Sequence, residues 1–434
     1  QPSIRHLSLD EARNLALGSA EQLAQMKQTV LGAQADVMAA GADGLPQLAV
    51  GGTWTHNFKK PVFFLPPDMA AGLGGATSVE MGGDWEVQAA ATVTFNLWTA
   101  GRLSAAKGLT DEALQASRWQ ELVVADAVVY QAEVAYFDLQ LAAAQVAIAE
   151  EALALAAENL RVIDLAFQQG RASRFDQLRA QVELTNRETP VFNAHNNRDL
   201  KTLQLLRICG LDHRTVLDLT DDLQDVASPA PIDELLATMH SNSPELKALQ
   251  HAIQARQMSF KLAKAGRGPV VLLQGQYALQ GQWDGGMVPE SDDAVGSANA
   301  ALAVSIPIFD GFAAKAGIQG SQADLRTAQI ELERVSRNRD LGVRQARVYL
   351  QNAIAALKGR REGVELAQEA YRLAQVRQEN GLATPLERLD AELALTEAQV
   401  QLAGALYACN QAEATLKLSI GGTNVPAGFA EETN

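Results

Sequence analysis

The chain has 434 residues, with 36 Lys and Arg against 51 Asp and Glu, for a net charge of −15. That balance excludes a protein that holds nucleic acid through clustered cations, since phosphate binding needs them; a solvated acidic surface accounts for most of the charge. Cys209 and Cys409 are the only cysteines and have no CxxC or metal-ligand spacing, so they read as structural. The six His, at positions 6, 56, 195, 213, 240 and 251, have no zinc-site spacing. Neither Gly72-Leu73-Gly74-Gly75 nor any other glycine cluster leads into the Lys-Ser/Thr of a phosphate loop. No enzyme, metal site or cofactor is expected. The chain starts at Gln1 and reads as processed or trimmed, so the lack of a signal peptide says little about export.

Ser8-Leu9-Asp10-Glu11 has the form of a capping box, and the helix it opens is expected to run to about Ala40. Its counterpart runs from Ile232 to Ala265. Pro46 and Pro269 follow, and the hydrophobic period then changes to two. Over 47–58, Leu48, Val50, Gly52 and Trp54 oppose Gln47, Ala49, Gly51, Thr53 and Thr55. Over 85–98, Trp85, Val87, Ala89, Ala91, Val93, Phe95 and Leu97 share one face. Segments 270–281 and 297–309 alternate in the same way. Each of the four is long enough to cross a bilayer when tilted.

A seam of apolar residues follows, at alternating spacings of four and three: Ala135, Leu139, Ala142, Val146, Ala149, Leu153, Ala156, Leu160, Ile163 and Phe167. It recurs 211 positions later, from Ala346 to Gln378, with eight of ten positions apolar or aromatic. The turns Gly170-Arg171-Ala172-Ser173 and Gly381-Leu382-Ala383-Thr384 lead into second helical stretches. These patterns predict helical hairpins over 102–208 and 312–420. Gly101 to Gly170 alone would be a rod of about 100 Å. The period implies a first repeat over 1–212, a linker over 213–231, a second repeat over 232–422 and an irregular tail over 423–434 that is disordered toward its end. No run of about 18 apolar residues predicts a membrane helix; the window from Leu122 to Phe137 is interrupted by Asp126 and Glu133.

A soluble sheet packed on a core would also alternate. Two features favour a membrane. Trp54, Trp85, Trp98, Tyr277, Trp283 and Phe309 lie toward segment ends, where interfacial girdles sit. The polar face is small and uncharged, as suits a lumen. Four strands cannot close a barrel, and an open edge in lipid strands backbone groups, so the membrane reading requires oligomers. Three chains would supply twelve strands and room for a pore.

The order of these features resembles the TolC-type outer-membrane efflux family. The residues that carry the resemblance are Leu7-Ser8-Leu9-Asp10-Glu11-Ala12, Leu45-Pro46-Gln47-Leu48, Asn242-Ser243-Pro244-Glu245-Leu246, Ile306-Pro307-Ile308-Phe309-Asp310-Gly311 and 381–391. It implies a mainly α fold with a membrane β-barrel: a homotrimer whose twelve-stranded barrel continues into a helical tunnel through the periplasm. It also implies a non-enzymatic exit duct docked to a periplasmic adaptor and driven by an inner-membrane transporter. By position, Glu387 and Asp390 match the family's acidic gate residues. Asp176 matches a residue that ties the closed gate, while the expected Tyr and Arg partners are replaced by Gln378 and Ala383. Arg171, Arg174 or Arg388 could substitute. Gly170, Arg171, Ala172, Gly381, Leu382 and Ala383 match the tips that meet the adaptor.

Each assignment has an ordinary counterpart. Thr384-Pro385-Leu386-Glu387 is itself a capping box, in which Glu387 would serve only its own helix. The two glycines would end helices in any protein. Two rivals to efflux remain at the sequence level, a duct for type I protein secretion and a soluble trimeric coiled-coil spacer.

Overall fold

A computed structural model describes residues 4–66, 77–287 and 294–421. The glycine cluster near residue 73 and the tail over 423–434 lie outside them. In chain order the elements are β1 (Ile4–Leu7), α1 (Leu9–Ser19), α2 (Glu21–Ala42), β2 (Gln47–His56), β3 (Val62–Phe64), β4 (Ser78–Glu80), β5 (Trp85–Trp98), α3 (Arg102–Gln168) and α4 (Arg174–Ile208). Then come β6 (Val216–Leu219), α5 (Ile232–Asn242), α6 (Pro244–Ala265), β7 (Val270–Trp283), β8 (Ala294–Ser305), α7 (Ala313–Glu379) and α8 (Pro385–Ser419). Helices α3 and α7 have 67 residues each, and α4 and α8 have 35 each. The second pair starts 211 positions after the first. Compactness divides the chain differently from the period. One unit comprises 1–31, 115–250 and 330–434, and the other 32–114 and 251–329, so each draws on both halves.

In the first unit, the expected helix to Ala40 is two helices. Ser8 caps α1 by accepting the Glu11 N–H, and the helix stops at Ala20, whose ψ of 113° is extended. Glu11 does not complete the box, because its carboxylate pairs with Arg5 at 2.6 Å. The counterpart breaks in the same way at Ser243, ψ 113°, where Pro244 disfavours a helical predecessor. Within 213–231, where no regular element was expected, β6 pairs in parallel with β1. Above that pair, Tyr136 on α3 is fully buried; its hydroxyl donates to the Leu7 carbonyl at 3.0 Å and accepts from the Asp221 N–H at 3.3 Å. Leu7, Ala12, Ala135, Leu139, Leu205 and Cys209 close around it.

The α3 seam packs as its spacing predicts. Ala135, Leu139, Ala142, Val146, Ala156 and Ile163 are buried, and Phe167 at the far end is exposed. Along the copied seam only Ala346, Leu350 and Leu357 are buried. Contrary to the expectation drawn from apolar runs, α3 holds one 18-residue window apolar enough, by length and composition, to cross a bilayer, at a mean hydropathy of 1.4. In this unit α3 instead lays its Ala-rich face against other helices, with Glu133 and Arg13 paired at 2.5 Å on its flank.

The second unit is built on a four-stranded antiparallel sheet in the order β2-β5-β7-β8. Register joins the apolar faces across all four strands: Leu48 opposes Val93, Phe95 opposes Leu273, and Leu273 opposes Leu302. Every residue of β2 and β8 is exposed, so the sheet buries no core of its own on that side. The other face carries Thr92, Thr94, Gln274, Gln276 and Asn299. It is not wholly uncharged, since Glu86 sits there and accepts from Gln88 at 2.8 Å. Trp54, Trp85 and Trp283 gather at the loop end of the sheet, with Trp54 and Trp85 edge to face at 6.0 Å. Tyr277, expected near a strand end, is mid-strand opposite Ala91, and Phe309 lies beyond β8. The 59–84 loop includes a short antiparallel pair, β3 with β4. Lys60 pairs with Asp284 at 2.6 Å and fastens one loop base to the other. Each strand-to-helix corner uses two left-handed residues, Ala100-Gly101 and Gly311-Phe312, with the glycine in swapped positions.

Candidate functional site

Both hairpin turns close in the same way. The Gly170 N–H donates to the Phe167 carbonyl at 2.9 Å and the Arg171 N–H to Ala166 at 2.8 Å. The Gly381 N–H donates to Gln378 at 3.0 Å and the Leu382 N–H to Arg377 at 2.8 Å. These paired bonds form a Schellman motif. Both glycines sit at φ +71°, a region that costs a residue with a Cβ about 1–2 kcal/mol. The motif leaves Arg171 and Leu382 exposed, with Ala172 and Ala383 half-buried.

The turns then enter their second helices with different caps. At the first, Ser173 and Asp176 form a full capping box: the Asp176 N–H donates to Ser173 Oγ at 3.2 Å, and the Ser173 N–H to the Asp176 carboxylate at 3.0 Å. The Ser173 hydroxyl adds a third bond at 2.6 Å, and these hydrogen bonds hold the Asp176 carboxyl below its ordinary pKa. At the second, Thr384 accepts the Glu387 N–H at 3.3 Å, but the Glu387 carboxylate makes no return bond. The sequence had offered the capping role to Glu387, and the structure gives it to Asp176.

Glu387 and Asp390 are both exposed, three residues apart on one side of α8, and no hydrogen bond or ion pair holds either carboxylate among the described residues. Between them Arg388 turns inward and is 5% exposed. Its Nη1 donates to Gln378 Oε1 at 3.3 Å, and its guanidinium lies 6.0 Å from the Tyr371 ring. Of the three arginines proposed to replace the family's tie, Arg388 is therefore the one that bridges the end of α7 to the start of α8. Arg174 bonds Gln177 on its own helix, and Arg377 reaches the Leu382 carbonyl at 3.2 Å. A cavity of about 290 Å³ between the two hairpins is lined by Asn159, Ile163, Asp176, Glu183, Pro385 and Leu389. No group of three or more potential metal ligands occurs among the described residues.

The sequence profile of outer membrane efflux proteins matches residues 12–211 and 235–422. The chain belongs to the outer membrane efflux protein family. Members of the family are outer-membrane channels and not enzymes, and the TolC-type resemblance read from the motifs holds. Outer membrane efflux protein BepC of Brucella suis biovar 1 (strain 1330) is 25% identical over 283 residues, 63% of this chain and 58% of BepC. The chain thus aligns with less than two thirds of that relative's length. Among solved structures, the Campylobacter jejuni CmeC outer membrane channel superposes with a TM-score of 0.78 at 15% identity, covering 98% of this chain and 89% of that one. The open state of the Neisseria gonorrhoeae MtrE outer membrane channel superposes at 0.77 with 18% identity, covering 95% and 88%. At such identities these likenesses speak to the outer membrane efflux fold alone.

Sequence reasoning missed Glu392 and Asn159, which are buried behind the turns, and Arg187, which is half-buried beside them. A signal existed for Glu392. It falls midway between Leu389 and Leu395, both buried, on the apolar side of α8.

Proposed function

We propose that three copies of this chain form a passive, gated export duct of a tripartite efflux pump. Their sheets would join edge to edge into a twelve-stranded outer-membrane barrel, and their helices would prolong it into the periplasm. The observation that carries this reading is the four-stranded sheet. Its apolar side is aligned in register and exposed, and among the described residues its two outer strands, β2 and β8, each pair on one side only. Lipid would cover the apolar side, and neighbouring copies would satisfy the edges at a saving of several kcal/mol per unpaired group. The 1–212 and 232–422 repeats, joined by 213–231, would then alternate around the ring.

In this reading Glu387 and Asp390 form two stacked rings of three carboxylates at the narrow end, which attract cations and repel anions. Asp176 fixes the first turn beside them. Gly170, Arg171, Ala172, Gly381, Leu382 and Ala383 are the tips offered to a periplasmic adaptor, which couples the duct to an inner-membrane transporter. That the Glu387 and Asp390 carboxylates have no partner among the described residues supports this division of roles.

Planar-bilayer recording tests the proposal. Purified protein should conduct, and Glu387→Ala with Asp390→Ala should lower cation selectivity and block by multivalent cations. Absence of conductance under all conditions would refute the duct, and unchanged selectivity would remove the two acids from the gate.

A further inference from the structure

Two residues beyond Asp390, α8 turns a third acid inward. Glu392 is fully buried, and neither carboxylate oxygen has a hydrogen-bond partner among the described residues. An ionised carboxylate left in that state costs several kcal/mol. Burial accordingly raises its pKa, opposed by Arg187 and then Arg388 and reinforced by Glu183. These are the charged groups that face it, two from α4 and one from its own helix.

Both cations are engaged elsewhere. Arg187 pairs with Glu183 at 2.8 Å, and Arg388 donates to Gln378 across the second turn at 3.3 Å. Each nonetheless keeps one buried nitrogen without a partner, Arg187 Nη2 and Arg388 Nε. A protonated Glu392 fits this arrangement. An ionised one does not, because a guanidinium–carboxylate pair, with both groups charged, is stronger than a guanidinium bond to the neutral Gln378 amide. Losing the proton therefore changes which partner Arg388 prefers. Arg388 directly follows Glu387 and precedes Asp390 by two, so its tie sets where the first turn of α8 sits.

We propose that Glu392 is a proton-linked positioning residue of the gate. Protonated, it leaves Arg388 bonded to Gln378, which pins the start of α8 to the end of α7. When Glu392 releases its proton to solvent, the Arg388–Gln378 bond breaks, an Arg388–Glu392 ion pair forms, and the turn bearing Glu387 and Asp390 is freed. The inference rests on reading those two acids as the gate.

The test is conductance against pH for the wild type, Glu392→Gln and Gln378→Leu. Wild-type conductance should rise in a one-proton step above the ordinary carboxylate value of about 4.3. Glu392→Gln should lose the step and stay at the low level, and Gln378→Leu should lose it and stay at the high level. Tryptic cleavage after Arg377, normalised at each pH to an unstructured peptide of the same sequence, gives a second readout that needs no pore. It should quicken with pH in the wild type and stay flat in Glu392→Gln. A Glu392→Gln protein that titrates like the wild type in either assay overturns the proposal. So does a wild type that conducts without a pH step, or a Gln378→Leu protein that titrates like the wild type. A wild type that never conducts refutes the duct itself, and the two failures are thereby told apart.

Discussion

Asp126 is a half-buried acid whose shielded carboxyl bears strongly on stability. It lies on α3 in the stretch where Ala125, Val128, Val129 and Ala132 are buried, and its Oδ1 has no hydrogen-bond partner among the described residues. Arg339, the cation whose field reaches it, is taken by Glu245 at 2.5 Å. Burial therefore dominates and pushes the carboxyl from 3.8 up to about 7. At about 1.4 kcal/mol per pKa unit, a rise of roughly three units corresponds to about 4 kcal/mol. The sign follows from which form the fold prefers. The protonated acid is favoured in the folded state, so its contribution is complete below the unfolded value near 4 and is lost as pH rises to about 7. Asp126→Asn keeps the shape and removes the charge. Thermal melts of the detergent-solubilised protein at matched scan rates should show the variant equal to wild type near pH 4. By pH 8 the variant should be the more stable by about 2–4 kcal/mol, the lower figure allowing for relaxation around the charge. A gain that does not grow with pH, or a variant less stable than wild type at pH 8, would refute the assignment.

Tyr136→Phe removes a buried hydroxyl that serves both Leu7 and Asp221, and should cost about 1–3 kcal/mol in the same melts. Gly210→Ala places a Cβ at φ +64° and 2.4 Å from the Ser19 Cβ, so it should cost about 2 kcal/mol or more. By contrast, a Cβ on Gly381 meets nothing within 4 Å, so Gly381→Ala should cost only the backbone term of about 1–2 kcal/mol and speed hydrogen exchange in that turn. Cys209 and Cys409 are buried and free, and burial pushes the Cys209 thiol up to about 11. Neither should react with a thiol reagent until the protein is unfolded, and rapid native labelling would contradict the packing around Tyr136.

The long helices were legible because a seam repeated over ten positions leaves little freedom. The predicted span between Gly101 and Gly170 contains the observed Arg102–Gln168. The strands were legible from alternation, although β8 begins three residues earlier and ends four earlier than expected, since Pro307 cannot donate to a ladder. The break at Ala20 was not legible, because nothing local forces ψ to 113° there; only the copy, with Pro244 after Ser243, carries a signal. The β1–β6 pair was hidden by its four-residue strands and by a partner more than 200 positions away. At the turns, the sequence identified the acids. Which acid caps, which stays free and which is buried depends on neighbours contributed by other helices and on how each turn closes.

The solitary ladders of β2 and β8 constrain the protein's life before it works. A polypeptide with two adhesive margins and one greasy flank is at ease neither in water nor in fat. In the proposed trimer, sister molecules would seal those margins before the flank reaches hydrocarbon, or in the same act. In that assembly, copies made faster than they find one another would present bare ladders to every other strand nearby, so the pace of synthesis would bear on correct folding.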